Sequence, residues 1–472
     1  MQSQCDPLVA LEGVSFTYQG SEKPSIEDVT FRVFAGQCVL LCGPSGCGKT
    51  TVTKLINGLV PHYQEGIVTG RVTVAGLDVA ATPLYRMALH VGSVFQNPKS
   101  QFFNLDSDSE LAFGLENQGV PQTQILQRVK ETVHALALES LRGRQVFELS
   151  GGQKQALALG SIAATDPDIY VLDEPTANLD AQGIARLRDL LCRLKASGKT
   201  IVIAEHRLSF LKGLVDQVLL MEEGKVTEQW EGNAFFALSP SQREAFGLRS
   251  LAHESPDLPS AHQGKGILRV QNLKVKLKGR SVFEDLSFSA QAGDVIGVVG
   301  ANGVGKTTLM RCLAGLVRES KGQVQWEGKS LKPRQRQKLC AMVMQDVNHQ
   351  LFGQSVQEEC ELSTPAESLA HIDQVLAQVQ LESLKDRHPM SLSGGQKQRL
   401  ALATGLLAQK RILILDEPTS GLDYRQMRRV GDEIKKIARQ GKVVLIVTHD
   451  LELLETACTK ILRLGSSAVQ DA

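Results

Sequence analysis

Residues 43–51 read GPSGCGKTT and residues 300–308 read GANGVGKTT. Each follows a short apolar run, QCVLLCG at 37–43 and DVIGVVG at 294–300, and each opens a stretch with helical spacing, TTVTKLINGLV at 50–60 and TTLMRCLAGLV at 307–317. A strand that ends in a glycine-rich turn and feeds a helix is the setting in which G-x-x-x-x-G-K-T marks a phosphate-binding loop. The glycines let backbone N–H groups close around phosphate, the lysine adds a point charge, and the hydroxyl beside it can reach Mg2+. The pattern therefore predicts nucleotide contacts from Gly43, Pro44, Ser45, Gly46, Cys47, Gly48, Lys49, Thr50 and Thr51. It predicts the same from Gly300, Ala301, Asn302, Gly303, Val304, Gly305, Lys306, Thr307 and Thr308, with Thr50 and Thr307 on the metal.

The loops are part of a longer repeat. LSGGQKQ occurs at 149–155 and again at 392–398, and VLDEPTANLD at 171–180 returns as ILDEPTSGLD at 414–423. Ser150 and Ser393, Asp173 and Asp416, and His206 and His449 are each 243 positions apart, whereas Lys49 and Lys306 are 257 apart. The second copy is therefore 14 residues shorter between its loop and its heptapeptide. A period near 240 is too long for a solenoid unit and fits two tandem domains. They are placed at 1–232 and 266–472, with a flexible linker at 233–265 where Ser, Pro, Gly and His mix without an apolar period. DIYVLDEP, RILILDEP, KTIVIAEH and KVVLIVTH read as further buried strands with polar ends. Strands alternating with helices imply an α/β fold, each domain a mostly parallel sheet with its polar site at the strands' C-terminal ends.

Asp173 and Asp416 end such strands, where a carboxylate reaches Mg2+ through water, and Glu174 and Glu417 follow, suited to orient or deprotonate an attacking water. His206 and His449 close a strand at the same interval from the acidic pair in both copies, fitting contact with the γ-phosphate or with the glutamate. Cys47 lies where the loop enters a helix, whose dipole lowers a thiol pKa, so thiol reagents are expected to inhibit through it. The other cysteines read as free and buried.

Composition removes other classes. Lys plus Arg is 52 against 51 for Asp plus Glu, a formal charge of +1, which offers no electrostatic footprint for nucleic acid or an anionic membrane. No apolar run approaches the roughly 18 to 20 residues that span a bilayer, and the first residues lack a secretory signal pattern. A place in the cytosol is expected, with any membrane contact made through another protein.

The loop, the LSGGQ signature, the LDEPT box, the LD turn and the terminal histidine occur twice in one order, and in this the chain resembles the nucleotide-binding subunits of ATP-binding cassette (ABC) transporters. The resemblance implies two tandem P-loop NTPase domains of ABC type, each with a helical subdomain, using ATP and Mg2+. It also implies a head-to-tail sandwich in which Ser150, Gly151, Gly152 and Gln153, or Ser393, Gly394, Gly395 and Gln396, complete a phosphate site based on another domain. FQNPKSQFF at 95–103 and MQDVNHQLF at 344–352 share Q-x4-Q, and they resemble the energy-coupling factor branch of the family. In that branch Gln96 and Gln345 would sense Mg2+ and the γ-phosphate. The segments Gln96 to Phe103 and Gln345 to Phe352 would dock a polytopic membrane scaffold that works with a separate membrane substrate-binding component.

The function so implied is an ATP-hydrolysing subunit at the cytoplasmic face of the membrane, peripheral to it, driving import of vitamins, vitamin precursors or metal ions. A fused sugar-importer ATPase is the nearest rival, and a tandem cassette acting on the ribosome a more distant one. Tyr18 stands where the family stacks an aromatic on adenine, but its counterpart is Leu277, which implies unequal ATP affinities. Ala156 follows the first signature where Arg399 follows the second, which implies unequal signalling.

Overall fold

The computed structural model describes residues 6–177, 179–252, 256–262, 264–277 and 280–465, without the side chains of Lys99 and Arg280. The chain divides into two compact units, residues 1–253 with 423–425 and residues 254–422 with 426–472.

The first unit holds β1 (Val9–Tyr18), β2 (Ile26–Val33), β3 (Cys38–Cys42), β4 (Gly66–Val74), β5 (Leu77–Asp78), β6 (Val91–Val94), β7 (Ile169–Asp173), β8 (Thr200–Ala204), β9 (Gln217–Glu222) and β10 (Lys225–Glu231). One antiparallel sheet runs β2-β1-β4-β5, and a six-stranded sheet runs β10-β9-β3-β8-β7-β6, parallel except where β10 returns along β9. Period-two alternation in the parallel strands serves two cores. Val39, Leu41, Val171 and Val202 face the antiparallel sheet and the helix Lys49–Ile56. Cys38, Leu40, Cys42, Tyr170, Leu172, Ile201 and Ile203 face the helices Gly151–Ala164 and Ala181–Ala196.

The second unit repeats the plan with β11 (Leu268–Leu277), β12 (Arg280–Ala290), β13 (Val295–Val299), β14 (Lys321–Trp326), β15 (Lys329–Ser330), β16 (Cys340–Val343), β17 (Ile412–Asp416), β18 (Val443–Val447) and β19 (Lys460–Arg463). Its antiparallel sheet runs β12-β11-β14-β15 and its wholly parallel sheet β16-β17-β18-β13-β19. Of the 14-residue shortening seen in the sequence, eight residues are lost between Lys306 and Gln345 relative to Lys49 and Gln96, and six in the helical subdomain that follows. Helices Ser107–Asn117 and Gln122–Ala135 of the first unit correspond to the shorter Val356–Ser363 and Ile372–Gln378 of the second.

The linker expected from 233 begins later. Gly232–Phe236 and Pro240–Ala245 are helical, and the fully buried Phe235 packs on Trp230 at 5.5 Å within the first unit's core. Its far end is also engaged, since Ser260 bridges Ile461 beside β19.

Candidate functional site

At the C-terminal end of β3 the chain turns through Gly43 at φ +136° and enters the helix Lys49–Ile56 through Gly48 at φ +103°. A Cβ on Gly43 would lie 2.1 Å from the Met221 carbonyl oxygen, and one on Gly48 2.6 Å from Ile26, so only glycine allows this loop shape. Lys49 is buried and its Nζ donates to the carbonyl oxygens of Gly43 and Pro44, both at 2.9 Å, which holds the ammonium across the mouth of the loop. Thr50 Oγ1 donates to Asp173 Oδ1 at 3.1 Å, joining the helix to the end of β7. Lys306 donates to Gly300 and Ala301 at 2.7 and 3.0 Å, and Thr307 to Asp416 Oδ2 at 2.9 Å, so the second unit repeats the arrangement.

These residues fit a Mg2+-nucleotide. The threonine and aspartate pair set two hard oxygen donors side by side, and burial, together with the Glu174 charge, pushes the Asp173 carboxyl up to about 6. A divalent cation reverses that cost by neutralising the carboxylate.

Glu174 and Glu417 follow with φ +45° and +51°, left-handed values that cost a residue with a Cβ, and their amides donate to Ala204 and Val447 at 2.8 Å. Glu174 Oε2 accepts from Gln96 Nε2 at 2.7 Å, and His206 Nε2 lies 3.2 Å from Oε1. Burial raises the Glu174 pKa against the charge of Lys49. Burial and then Lys49 hold the His206 imidazole well below its usual range, so it is neutral. In the second unit His449 Nε2 lies 3.7 Å from Glu417 Oε1 and 3.1 Å from Asn302 Oδ1. Gln345 is exposed and makes no hydrogen bond among the described residues, unlike Gln96.

Ser150 and Ser393 are N-caps of the helices Gly151–Ala164 and Gly394–Leu407. Ser150 Oγ accepts from Gln153 N at 3.3 Å while Gln153 Oε1 accepts from Ser150 N at 2.9 Å, and Ser393 and Gln396 do the same. The glutamines thus brace the turn, while the first-turn amides of Gly151, Gly152, Gly394 and Gly395 lie at a helix N-terminus, a position suited to receive an anion. Arg399 Nη1 donates to Val379 O at 3.0 Å, tying the second signature helix to Ile372–Gln378, a tie Ala156 cannot make.

One expectation changes. Cys47 is buried beside Gly43, and burial raises its thiol pKa, outweighing the Lys49 charge, so the helix dipole does not make it reactive. Tyr18 is half-buried with its hydroxyl 3.1 Å from Thr51 Oγ1, while Leu277 is 41% exposed, so only the first unit links an aromatic of this strand to the loop helix.

The glutamine pairs also divide. Gln101 is a brace, its Oε1 accepting from Phe95 N and its Nε2 donating to Ser93 O, each at 2.8 Å, and Gln350 spans Met344 N and Met342 O in the same way. The buried Glu110 accepts from the amides of Phe103 and Asn104, and the buried Glu359 from those of Phe352 and Gly353. Phe103 and Phe352 are thereby held outward, 74% and 79% exposed. Sequence reading missed Thr176, Glu205, Thr419 and Asp450, buried polar groups around the histidines. Aligning AEHRL with VTHDL would have shown the acidic residue changing sides of the histidine.

Two phosphate loops, each with a threonine and aspartate pair for metal and a glutamate and histidine pair beyond it, define a tandem P-loop ATPase. The chain belongs to the ABC transporter family, whose model matches residues 26–177 and 283–420. A protein of Treponema denticola named as an ABC transporter ATP-binding protein is 44% identical over 98% of this chain and 96% of its own length. A Bacillus subtilis protein named for HMP/thiamine import, YkoD, is 32% identical over 98% of this chain and 91% of its own. The structure of archaeal ABCE1 with Pelota on the ribosome has a TM-score of 0.68 at 22% identity, covering 95% of this chain and 76% of that one, and shares the fold. As an ABC ATP-binding protein the chain binds ATP with Mg2+ and hydrolyses it, in partnership with membrane components. Among the described residues no helix is long and apolar enough to cross a membrane.

Proposed function

We propose that the chain is the energy-coupling subunit of an importer of the energy-coupling factor type, working at the cytoplasmic face of the membrane on vitamins, vitamin precursors or metal ions. The observation that carries this reading is the pair of outward-held aromatics, Phe103 and Phe352, each mounted on a loop braced by its own glutamine and buried glutamate. A large exposed apolar side chain on a rigid loop is what a helix of a membrane scaffold needs as an anchor. The relative named for HMP/thiamine import favours the same branch over a sugar importer.

Lys49 and Lys306 hold the substrate phosphates, Thr50, Asp173, Thr307 and Asp416 hold Mg2+, and Gln96 and Gln345 follow its coordination. Mg2+, when bound, neutralises charge on the β- and γ-phosphate oxygens. Glu174 and Glu417 orient and deprotonate water, with His206 and His449 keeping them in line. Each LSGGQ helix closes on the phosphate held by another domain, of this chain or of a second one. Closure on ATP and reopening after hydrolysis pass to the membrane partner through the Gln96 and Gln345 segments.

Purification of the tagged chain from native membranes tests this. A polytopic membrane protein is expected to copurify with the wild type and to be lost from Phe103→Ser/Phe352→Ser, while ATP binding is kept. Recovery with ribosomes in place of a membrane partner would overturn the reading.

A further inference from the structure

The loops after β8 and β18 carry an acidic residue on opposite sides of the histidine. The first reads Glu205-His206-Arg207 and the second Thr448-His449-Asp450. In the second, Asp450 Oδ2 accepts from Thr419 Oγ1 at 2.7 Å, its Oδ1 from Leu453 N at 3.2 Å, and its own amide donates to Thr448 Oγ1 at 3.0 Å. There the His449 amide points to Glu417 Oε2 at 3.4 Å, with Thr448 Oγ1 3.5 Å from the same oxygen.

In the first unit one side chain replaces these contacts. Glu205 Oε2 accepts from Thr176 N and Oγ1 at 3.2 and 2.8 Å, and Oε1 accepts from the amides of His206 and Arg207 at 2.8 and 3.0 Å. Thr176 and Thr419 are equivalent, 243 positions apart, so a carboxylate on this threonine has moved from after the histidine to before it. Four donors satisfy a carboxylate that is 2% exposed, which is how an acid so close to Glu174 is tolerated. Arg207, in the aspartate's place, donates from Nη1 to Leu179 O at 3.2 Å, one residue before the N-cap Asp180 of Ala181–Ala196.

We propose that Glu205 is the positioning residue of the first ATP site: by taking Thr176 and the His206 amide it frees Glu174 to bind Gln96, whereas Glu417 is engaged by its own histidine loop. The first glutamate is thereby coupled to the segment that bears Phe103, and the second is not coupled to its segment in this way. The proposal rests on the reading that Glu174 serves hydrolysis.

The test is made in full-length protein carrying Glu417→Gln, so that turnover reports the first site. Glu205→Thr is expected to lower kcat about tenfold or more with KM for ATP within about twofold, because the lost contacts orient the glutamate and histidine without touching ATP. Glu205→Thr/Arg207→Asp rebuilds the T-H-D order and is expected to recover to within about threefold of the parent, the coupling a shared network gives. In nucleotide-free protein, amide exchange across residues 201–210 should quicken in the single variant and slow again in the double. Glu205→Gln, which keeps the shape, provides a folded variant if the threonine does not fold, and it should show the same kcat loss in milder form. Unchanged kcat in Glu205→Thr, or equal losses in single and double variants, would overturn the proposal. Turnover that survives Glu174→Gln in the same background would refute the glutamate's role instead, and the exchange measurement then decides the question of Glu205.

Discussion

Glu174 and Glu417 take left-handed backbone values that only their surroundings can enforce, each pinned by its amide to the neighbouring strand. Such strain costs of order 1–3 kcal/mol and persists where a side chain must be aimed. Removing the carboxylate charge while keeping its shape should therefore cost chemistry and spare binding. Glu174→Gln/Glu417→Gln is expected to lower ATP turnover by about 10²- to 10⁴-fold, the range for a positioned base, while equilibrium ATP binding stays within a few fold. Retained turnover would show that another group activates water. Cys47 gives a second expectation at this scale. Among the described cysteines all but Cys192 are buried, so a maleimide should label Cys192 ahead of the other described cysteines and leave ATPase activity unaffected at that stage. The place of Cys47 at a helix entrance was legible in the sequence. Its burial was not, because the core it joins, with Met221 of β9 among its members, is assembled from strands distant in the sequence.

Among the elements, the phosphate loops, strands and signature helices were all readable, because each is specified by local pattern: apolar runs, obligatory glycines and capping residues. Gly48→Ala should abolish nucleotide binding at the first site, since the added Cβ meets both Ile26 and the Ser25 carbonyl oxygen at a positive φ. Isothermal titration would show one binding event fewer than in the wild type. The loops that carry Phe103 and Phe352 were legible only as a motif. That Gln101 and Gln350 brace them depends on side chains folding back on the preceding strand end, and that Glu110 and Glu359 are buried beneath them depends on side chains returning from a following helix. Glu110→Ala strands two backbone amides and should lower unfolding free energy by about 1–3 kcal/mol in denaturant titration, and it should weaken recovery of the membrane partner. The tail after Glu231 was hidden for the opposite reason. Its Ser, Pro and Gly content reads as linker, while the burial of Phe235 and its stacking near Trp230 are tertiary.

At the scale of the molecule, duplication made the architecture legible and also made the differences measurable against an internal standard. Ala156 against Arg399, Tyr18 against Leu277, and Glu205-His206-Arg207 against Thr448-His449-Asp450 are all departures between matched positions of two domains that keep the same loop, carboxylates and histidine. On the proposed reading, the residues that differ tune how each site is held, and the residues that coincide perform the chemistry. Both sites are therefore expected to turn over, at unequal rates. Nucleotide trapping with Glu174→Gln and Glu417→Gln singly measures this directly. Hydrolysed nucleotide should be recovered from the intact site of each variant, and from neither site of the double variant. Turnover confined to one of the two single variants would contradict a chain with two working ATP sites.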